Sequence, residues 1–158
     1  MRSRVLVVDD EESLRDVLRQ LLEPEGYEVE TAGDGQQALE LLRHATYDCV
    51  LVDLRMPVMD GLMFYQAVKH RNPKVAQRVI FCTGELLEGH LRWFLEGTGN
   101  RILLKPFRAS HLLETCGEVC GHLSGTVWAS HEGIGSLGAA QKPQDFSGIK
   151  GAHHGQGR

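Results

Sequence analysis

Five residues of this chain have the types and positions to do chemistry together. Asp9 and Asp10 close the apolar run "VLVV", Asp53 closes "CVLV", Thr83 closes "VIFC", and Lys105 follows "RILL". If these runs lie side by side as strands, three carboxylates, a hydroxyl and an ammonium meet at one edge. Carboxylates that close repel one another unless something compensates them. A divalent cation can do so, and so can the Lys105 ammonium. An all-oxygen donor set with few protein ligands suits a hard ion, Mg²⁺ ahead of Ca²⁺. A lone aspartate at a strand end is ordinarily a helix N-cap. That reading covers any one of these residues, but not four ionisable groups converging with a hydroxyl.

The elements that must position them follow from the apolar pattern. "RVLVVDD", "YEVET", "CVLVD", "VIFCT" and "RILL" are short Val- and Ile-rich runs. Four of them show little polar alternation, which suits strands covered on both faces of a parallel sheet; "YEVET" alternates and suits an edge. Leu14, Val17, Leu18, Leu21 and Leu22 make one helical stripe, ended by Pro24 and Gly26. Asp34 with Gln37 reads as an N-cap and capping-box partner opening a helix through Leu42. Gly61 to His70, Leu86 to Glu96, and the stripe Leu112, Leu113, Cys116, Val119, Cys120 and Leu123 complete five helices. Alternating strands and helices predict an α/β, doubly wound parallel sheet with right-handed crossovers. In such sheets chemistry sits beyond the carboxyl ends of the strands, where the strand order reverses.

At 158 residues, the chain has room for one domain of ordinary size and a little more. The composition shifts near residue 125, so we expect a folded domain over 1–124 and a flexible Gly/His-rich tail over 125–158. Net charge is −4, of which the tail carries +1 and the domain −5. That balance gives nucleic-acid binding no bulk electrostatic support. No apolar run approaches the length of a bilayer span. The N-terminal apolar stretch ends after four residues in acids, unlike a signal peptide. Cys49, Cys82, Cys116 and Cys120 lack the spacing of a disulfide scaffold, so a reduced, cytoplasmic protein is expected.

The motifs "VLVVDDEESLRDVL", "CVLVDLRMPVMDGL", Thr83-Gly84 and "LLKPF" together resemble the receiver domain of bacterial two-component response regulators, from about Arg4 to about Leu123. The chain is similar to single-domain chemotaxis-type receivers and to the C-terminal receivers of hybrid histidine kinases. The resemblance implies a flavodoxin-like sheet of order 2-1-3-4-5. It implies that Asp53 is the phosphoacceptor, and that Asp10 binds Mg²⁺ directly and Asp9 directly or through water. The Arg55 carbonyl would be a further ligand, Thr83 and Lys105 would contact the phosphoryl group, and Pro106 would follow a cis peptide bond. The implied donor is a phosphohistidine on a sensor kinase or phosphotransfer protein. A downstream protein target and a monomer or weak dimer are expected, with no DNA-binding output and no enzymatic activity beyond the domain's own phosphorylation and slow dephosphorylation. The alternatives are a phosphorylation-independent binding module and an Asp-nucleophile hydrolase. Such a hydrolase generally has a second acid two residues after its nucleophile, where this chain has Arg55.

Several signals are assigned other roles. The family's usual aromatic residue three positions before the lysine is Ile102 here, and Trp93 is expected in the core rather than in its place. Arg55 and Glu85 flank the acceptor and are expected to pair across its mouth. Cys116 and Cys120 lie on an apolar stripe and read as core thiols, as does Cys82. Met56, Met59 and Met63 are expected to pack under the acceptor loop. His131, His153 and His154 read as spacer residues. Gly33, Gly35 and Gly61 read as turn glycines outside any phosphate-cradling loop, against nucleotide binding.

Overall fold

The computed structural model describes residues 1–84 and 89–122. Five parallel strands form one sheet: β1 (Arg4–Val8), β2 (Glu28–Ala32), β3 (Cys49–Asp53), β4 (Val79–Thr83) and β5 (Arg101–Leu104), in the order β2-β1-β3-β4-β5. The reversal lies between β1 and β3, whose register pairs Val5 with Cys49 and Val8 with Val52. It therefore sets Asp9, one residue beyond β1, beside Asp53 at the end of β3.

Each strand sends alternate residues to opposite faces, and the core is accordingly two-sided. Leu6, Val8, Val50, Val52, Val79 and Phe81 face one way, against Ala38 of α2 (Gly35–His44), Phe64 and Val68 of α3 (Gly61–Arg71), and Leu95 of α5 (Gly89–Thr98). Val5, Val7, Cys49, Leu51, Ile80, Cys82 and Leu103 face the other, against Leu18 and Leu22 of α1 (Glu12–Leu22) and Leu112 and Cys116 of α6 (Ala109–Val119). Burying both faces of the central strands is what selects their near-continuous apolar runs. Each fully buried Leu contributes about 2–3 kcal/mol of transfer free energy.

The described residues hold six α-helices rather than the expected five. The extra one is a single turn, α4 (Pro73–Ala76), with the Asn72 side chain accepting from the Val75 N–H and Pro73 in its first turn. Its signal was the Asn-Pro pair, too short for a periodicity argument. Helix α1 gives way to a 3₁₀ turn over Glu23–Glu25, and Gly26 leaves it at φ 90°, a left-handed conformation that suits glycine. The fourth expected helix, Leu86 to Glu96, is seen as α5; its expected first residues, 86–88, lie outside the described residues. Leu123 also lies outside them, as do the expected tail and its histidines. Cys120 follows α6 as its C-cap.

Two expected core residues are not in the core. Trp93 on α5 is 78% exposed, and Val17 at the edge of the α1 stripe is 48% exposed. Helix α5 buries Leu95 and turns the opposite side, with Trp93, to solvent. No helix among the described residues is long and apolar enough to cross a membrane.

Candidate functional site

The site is built by the ends of four strands, β1, β3, β4 and β5, and the segments that follow them. Asp9 is 3% exposed and doubly held: its Oδ1 accepts from the Glu11 N–H at 2.9 Å and its Oδ2 from Lys105 Nζ at 2.8 Å. The Glu11 bond is a local turn two residues on, just before α1, whose N-cap Glu11 supplies no side-chain cap of its own. The Asp9 backbone is fixed as well. The Asp9 N–H donates to the Ala32 carbonyl, and the Asp9 carbonyl accepts from the Arg15 guanidinium at 2.7 Å. Arg15 was missed from sequence, as a charge on the first turns of a helix looks like a solvated face.

Asp53 ends β3, and its carboxylate lies 3.5 Å from Lys105 Nζ. Oxygens of Asp9, Asp10 and Asp53 all lie within 4.8 Å of one another. Asp10 is exposed, whereas the Asp53 side chain is 12% exposed. Burial pushes the Asp53 carboxyl above its usual range. Lys105 pulls it down, Asp9 pushes it up, and hydrogen bonds from the Arg55 N–H and Lys105 pull it down again, with a net rise. For Lys105, burial pulls the ammonium down, but the hydrogen bond and charge of Asp9 and the charge of Asp53 outweigh it and raise it. Lys105 stays charged, and Asp53 is an acid not fully compensated by its neighbours.

Thr83 ends β4, is 3% exposed, and its carbonyl accepts the Lys105 N–H at 2.7 Å. This bond ties the hydroxyl-bearing strand to the lysine, and the Lys105–Pro106 peptide is cis, as expected. The structure therefore brings together Asp9, Asp10, Asp53 and Lys105 and sets Thr83 at the next strand end. The backbone of Arg55 is placed directly against Asp53.

Glycine's role at the acceptor loop is steric. A Cβ on Gly61 would lie 2.4 Å from the Asp53 carbonyl oxygen and 2.9 Å from Leu54 Cα, and the Gly61 N–H donates to the Leu54 carbonyl. Gly61 is thus not a turn glycine but the first residue of α3, where the helix meets the end of β3. Gly35 likewise opens α2, with Met59 occupying the space of its missing side chain. Between β3 and α3, Leu54, Arg55, Met56, Pro57 and Asp60 line an open depression of roughly 460 Å³. Met56 and Met59 pack as expected, but Met63 is 53% exposed and does not. Val58, at φ 69° and 71% exposed, turns the loop in a conformation unusual for a β-branched residue. Ile102 is half-buried and paired in register with Phe81. Glu85, the expected partner of Arg55, lies outside the described residues.

The sheet order, the two-sided core and the acidic pocket at the carboxyl edge define a doubly wound, flavodoxin-like α/β protein. The profile described as the response regulator receiver domain matches residues 5–116, and the chain belongs to that family. It is 36% identical over 107 residues to the transcriptional regulatory protein SrrA of Staphylococcus aureus, covering 68% of this chain and 43% of SrrA. The chain thus spans less than half the length of these curated relatives. Chemotaxis protein CheY4 of Vibrio cholerae is 35% identical, with a TM-score of 0.68 over 75% of this chain and 99% of that one. A structure of response regulator TrrA from Thermotoga maritima in complex with Mg(2+)-BeF is 31% identical, with a TM-score of 0.65 over 75% of this chain and 99% of that one.

Proposed function

We propose that this receiver accepts a phosphoryl group on Asp53 from a phosphohistidine of a sensor kinase or phosphotransfer protein, in a Mg²⁺-dependent reaction. The observation that carries the reading is Asp53 itself: a largely buried carboxylate set between the Lys105 ammonium and a pair of further acids. The cation is tested by the donor set. Three carboxylates within 4.8 Å of one another, with one ammonium to compensate them, leave negative charge uncovered. An oxygen-only cluster of this kind fits Mg²⁺. Asp9, Asp10, Asp53 and the Arg55 carbonyl would hold it, and the bound ion would supply positive charge against the phosphoryl oxygens.

The chain's own residues do the rest. Asp53 is the nucleophile and needs no base once ionised. Its oxygen forms the new P–O bond as the P–N bond of the phosphohistidine breaks, and the leaving imidazole nitrogen keeps the electron pair and takes a proton. Lys105 sits on the acceptor side, where its ammonium can pass from Asp9 and Asp53 to the arriving phosphoryl oxygens and neutralise developing charge. The Thr83 hydroxyl donates to a phosphoryl oxygen, drawing on the loop that leads to α5. A group of about −1.5 to −2 charge placed there biases that loop and the exposed face of α5.

The domain then signals by protein contact or by relay to a second histidine, and performs no turnover beyond its own modification. With Ile102 where the family usually has an aromatic side chain, the α5 loop is biased without that ring's rotamer change. The experiment is transfer from a radiolabelled, autophosphorylated histidine kinase. Label should pass to the wild type with Mg²⁺ present and fail to pass to Asp53→Asn. Equal labelling of the variant would overturn the assignment.

A further inference from the structure

One bond on the segment between β1 and α1 comes from a side chain outside the charge cluster. Arg15, half-buried near the start of α1, donates from Nη1 to the Asp9 carbonyl at 2.7 Å. The same guanidinium lies against the end of β2, since a Cβ on Gly33 would stand 3.7 Å from Arg15 Nη1. It therefore ties the start of α1 to the ends of both β1 and β2.

The atom it grips belongs to the peptide unit that joins Asp9 to Asp10. That unit is planar, so a fixed carbonyl also fixes the nitrogen from which Asp10 is built. The other bonds of Asp9 act elsewhere. Its N–H donates to the Ala32 carbonyl at 3.1 Å, and its carboxylate accepts from the Glu11 N–H and from Lys105. Asp10 has less to hold it. It is exposed, and among the described residues no hydrogen bond or ion pair holds its carboxylate. Yet it offers an oxygen within 4.8 Å of oxygens of Asp9 and Asp53, where like charges push it outward. The backbone that carries it must resist that push. The load on the backbone grows when Lys105 turns from Asp9 to the arriving phosphoryl group, because the bonds from Arg15 and to Ala32 are then the ones that stay.

We propose that Arg15 is a positioning residue for the cation: its bond to the Asp9 carbonyl orients the Asp9–Asp10 peptide and so keeps the Asp10 carboxylate beside Asp9 and Asp53. This rests on the Mg²⁺ reading above and adds a residue that does not touch the ion. Partners of this kind, which hold a ligand rather than the metal, typically change metal affinity by about 10–100-fold when removed. Charge alone acts with the opposite sign. A guanidinium near a divalent cation repels it, so removing only that charge would tighten binding.

The test is isothermal titration calorimetry of the full, unphosphorylated chain with magnesium chloride. Arg15→Ala should bind Mg²⁺ about 10-fold more weakly than wild type. Arg15→Lys keeps the charge and a single donor group without the planar fork, so its affinity should fall between the two. It serves even if Arg15→Ala fails to fold. Arg19, one turn on, instead donates to Thr31 Oγ1 at 3.2 Å, and Arg19→Ala should bind Mg²⁺ as wild type does. In acyl-phosphate labelling, Arg15→Lys should raise the half-saturating Mg²⁺ concentration more than it lowers the limiting rate. Wild-type affinity or tighter in the Arg15 variants would overturn the proposal alone, and so would an equal loss in Arg19→Ala. A wild type that takes up no Mg²⁺ would overturn the cation reading and the proposal with it.

Discussion

Replacing Asp53 with asparagine should make the metal-free protein more stable. The charges on Asp53 nearly offset one another. At an effective dielectric of about 20, Asp9 within 4.8 Å repels it by roughly 3.5 kcal/mol. Lys105 at 3.5 Å attracts it by roughly 4.7 kcal/mol on the same basis. Asp10 is exposed and adds at most about 1 kcal/mol of repulsion after screening. With Coulomb contributions close to cancelling, burial of the carboxylate sets the sign, and its raised pKa has that same origin. Asparagine keeps the shape and removes the charge. The expected gain is about 1–2 kcal/mol in urea unfolding, or a midpoint rise of roughly 3–12 °C by heat. The difference should shrink at low pH. The folded state holds Asp53's proton to higher pH than the unfolded chain does. Its stabilising contribution is therefore full below the ordinary carboxylate range and lost as pH rises through the raised folded pKa. Added Mg²⁺ should stabilise the wild type by mass action and the variant much less. An Asp53→Asn protein less stable than wild type in chelator, or stabilised equally by Mg²⁺, would refute this reasoning.

Other outcomes follow from the same geometry. Lys105→Met removes the ammonium shared by Asp9 and Asp53, so phosphorylation should slow by about 10²–10³-fold, checked by the rate of acyl-phosphate labelling. Gly61→Ala forces a Cβ to within 2.4 Å of the Asp53 carbonyl, and should cost about 1–3 kcal/mol or more in denaturant unfolding. Burial pushes the Tyr27 phenol up to about 12, so the folded state keeps that proton longer than the unfolded chain. Its contribution is full below pH of about 10 and lost as pH rises through 12. Stability measured across that window should fall less steeply in Tyr27→Phe.

Much of this was legible in the sequence, for identifiable reasons. Strands buried on both faces leave unbroken apolar runs, so "CVLVD" and "VIFCT" announce themselves and their last residues locate the rim. The Asp34 cap was equally readable: its side chain accepts from the Gln37 N–H, while Gln37 Oε1 accepts from Gly33 rather than from Asp34's own backbone. Apolar type alone misled at Trp93 and Met63, on helices of modest amphipathicity that do not fix which side a borderline residue takes, and at Val17, which lies at the edge of the α1 stripe. Arg15 and Gly61 escaped because their roles are contacts with backbone atoms at the end of the preceding strand, which residue type and periodicity do not signal. That Cys49 and Cys116 share one side of the core is likewise a product of β3 packing against α6, which no local spacing encodes.

The most direct test is intact-mass measurement after incubation with acetyl phosphate and Mg²⁺. One phosphoryl adduct should form on the wild type, vanish when the cation is chelated and never appear on Asp53→Asn. An adduct that survives the substitution or the chelator, or no adduct on wild type, would contradict the account.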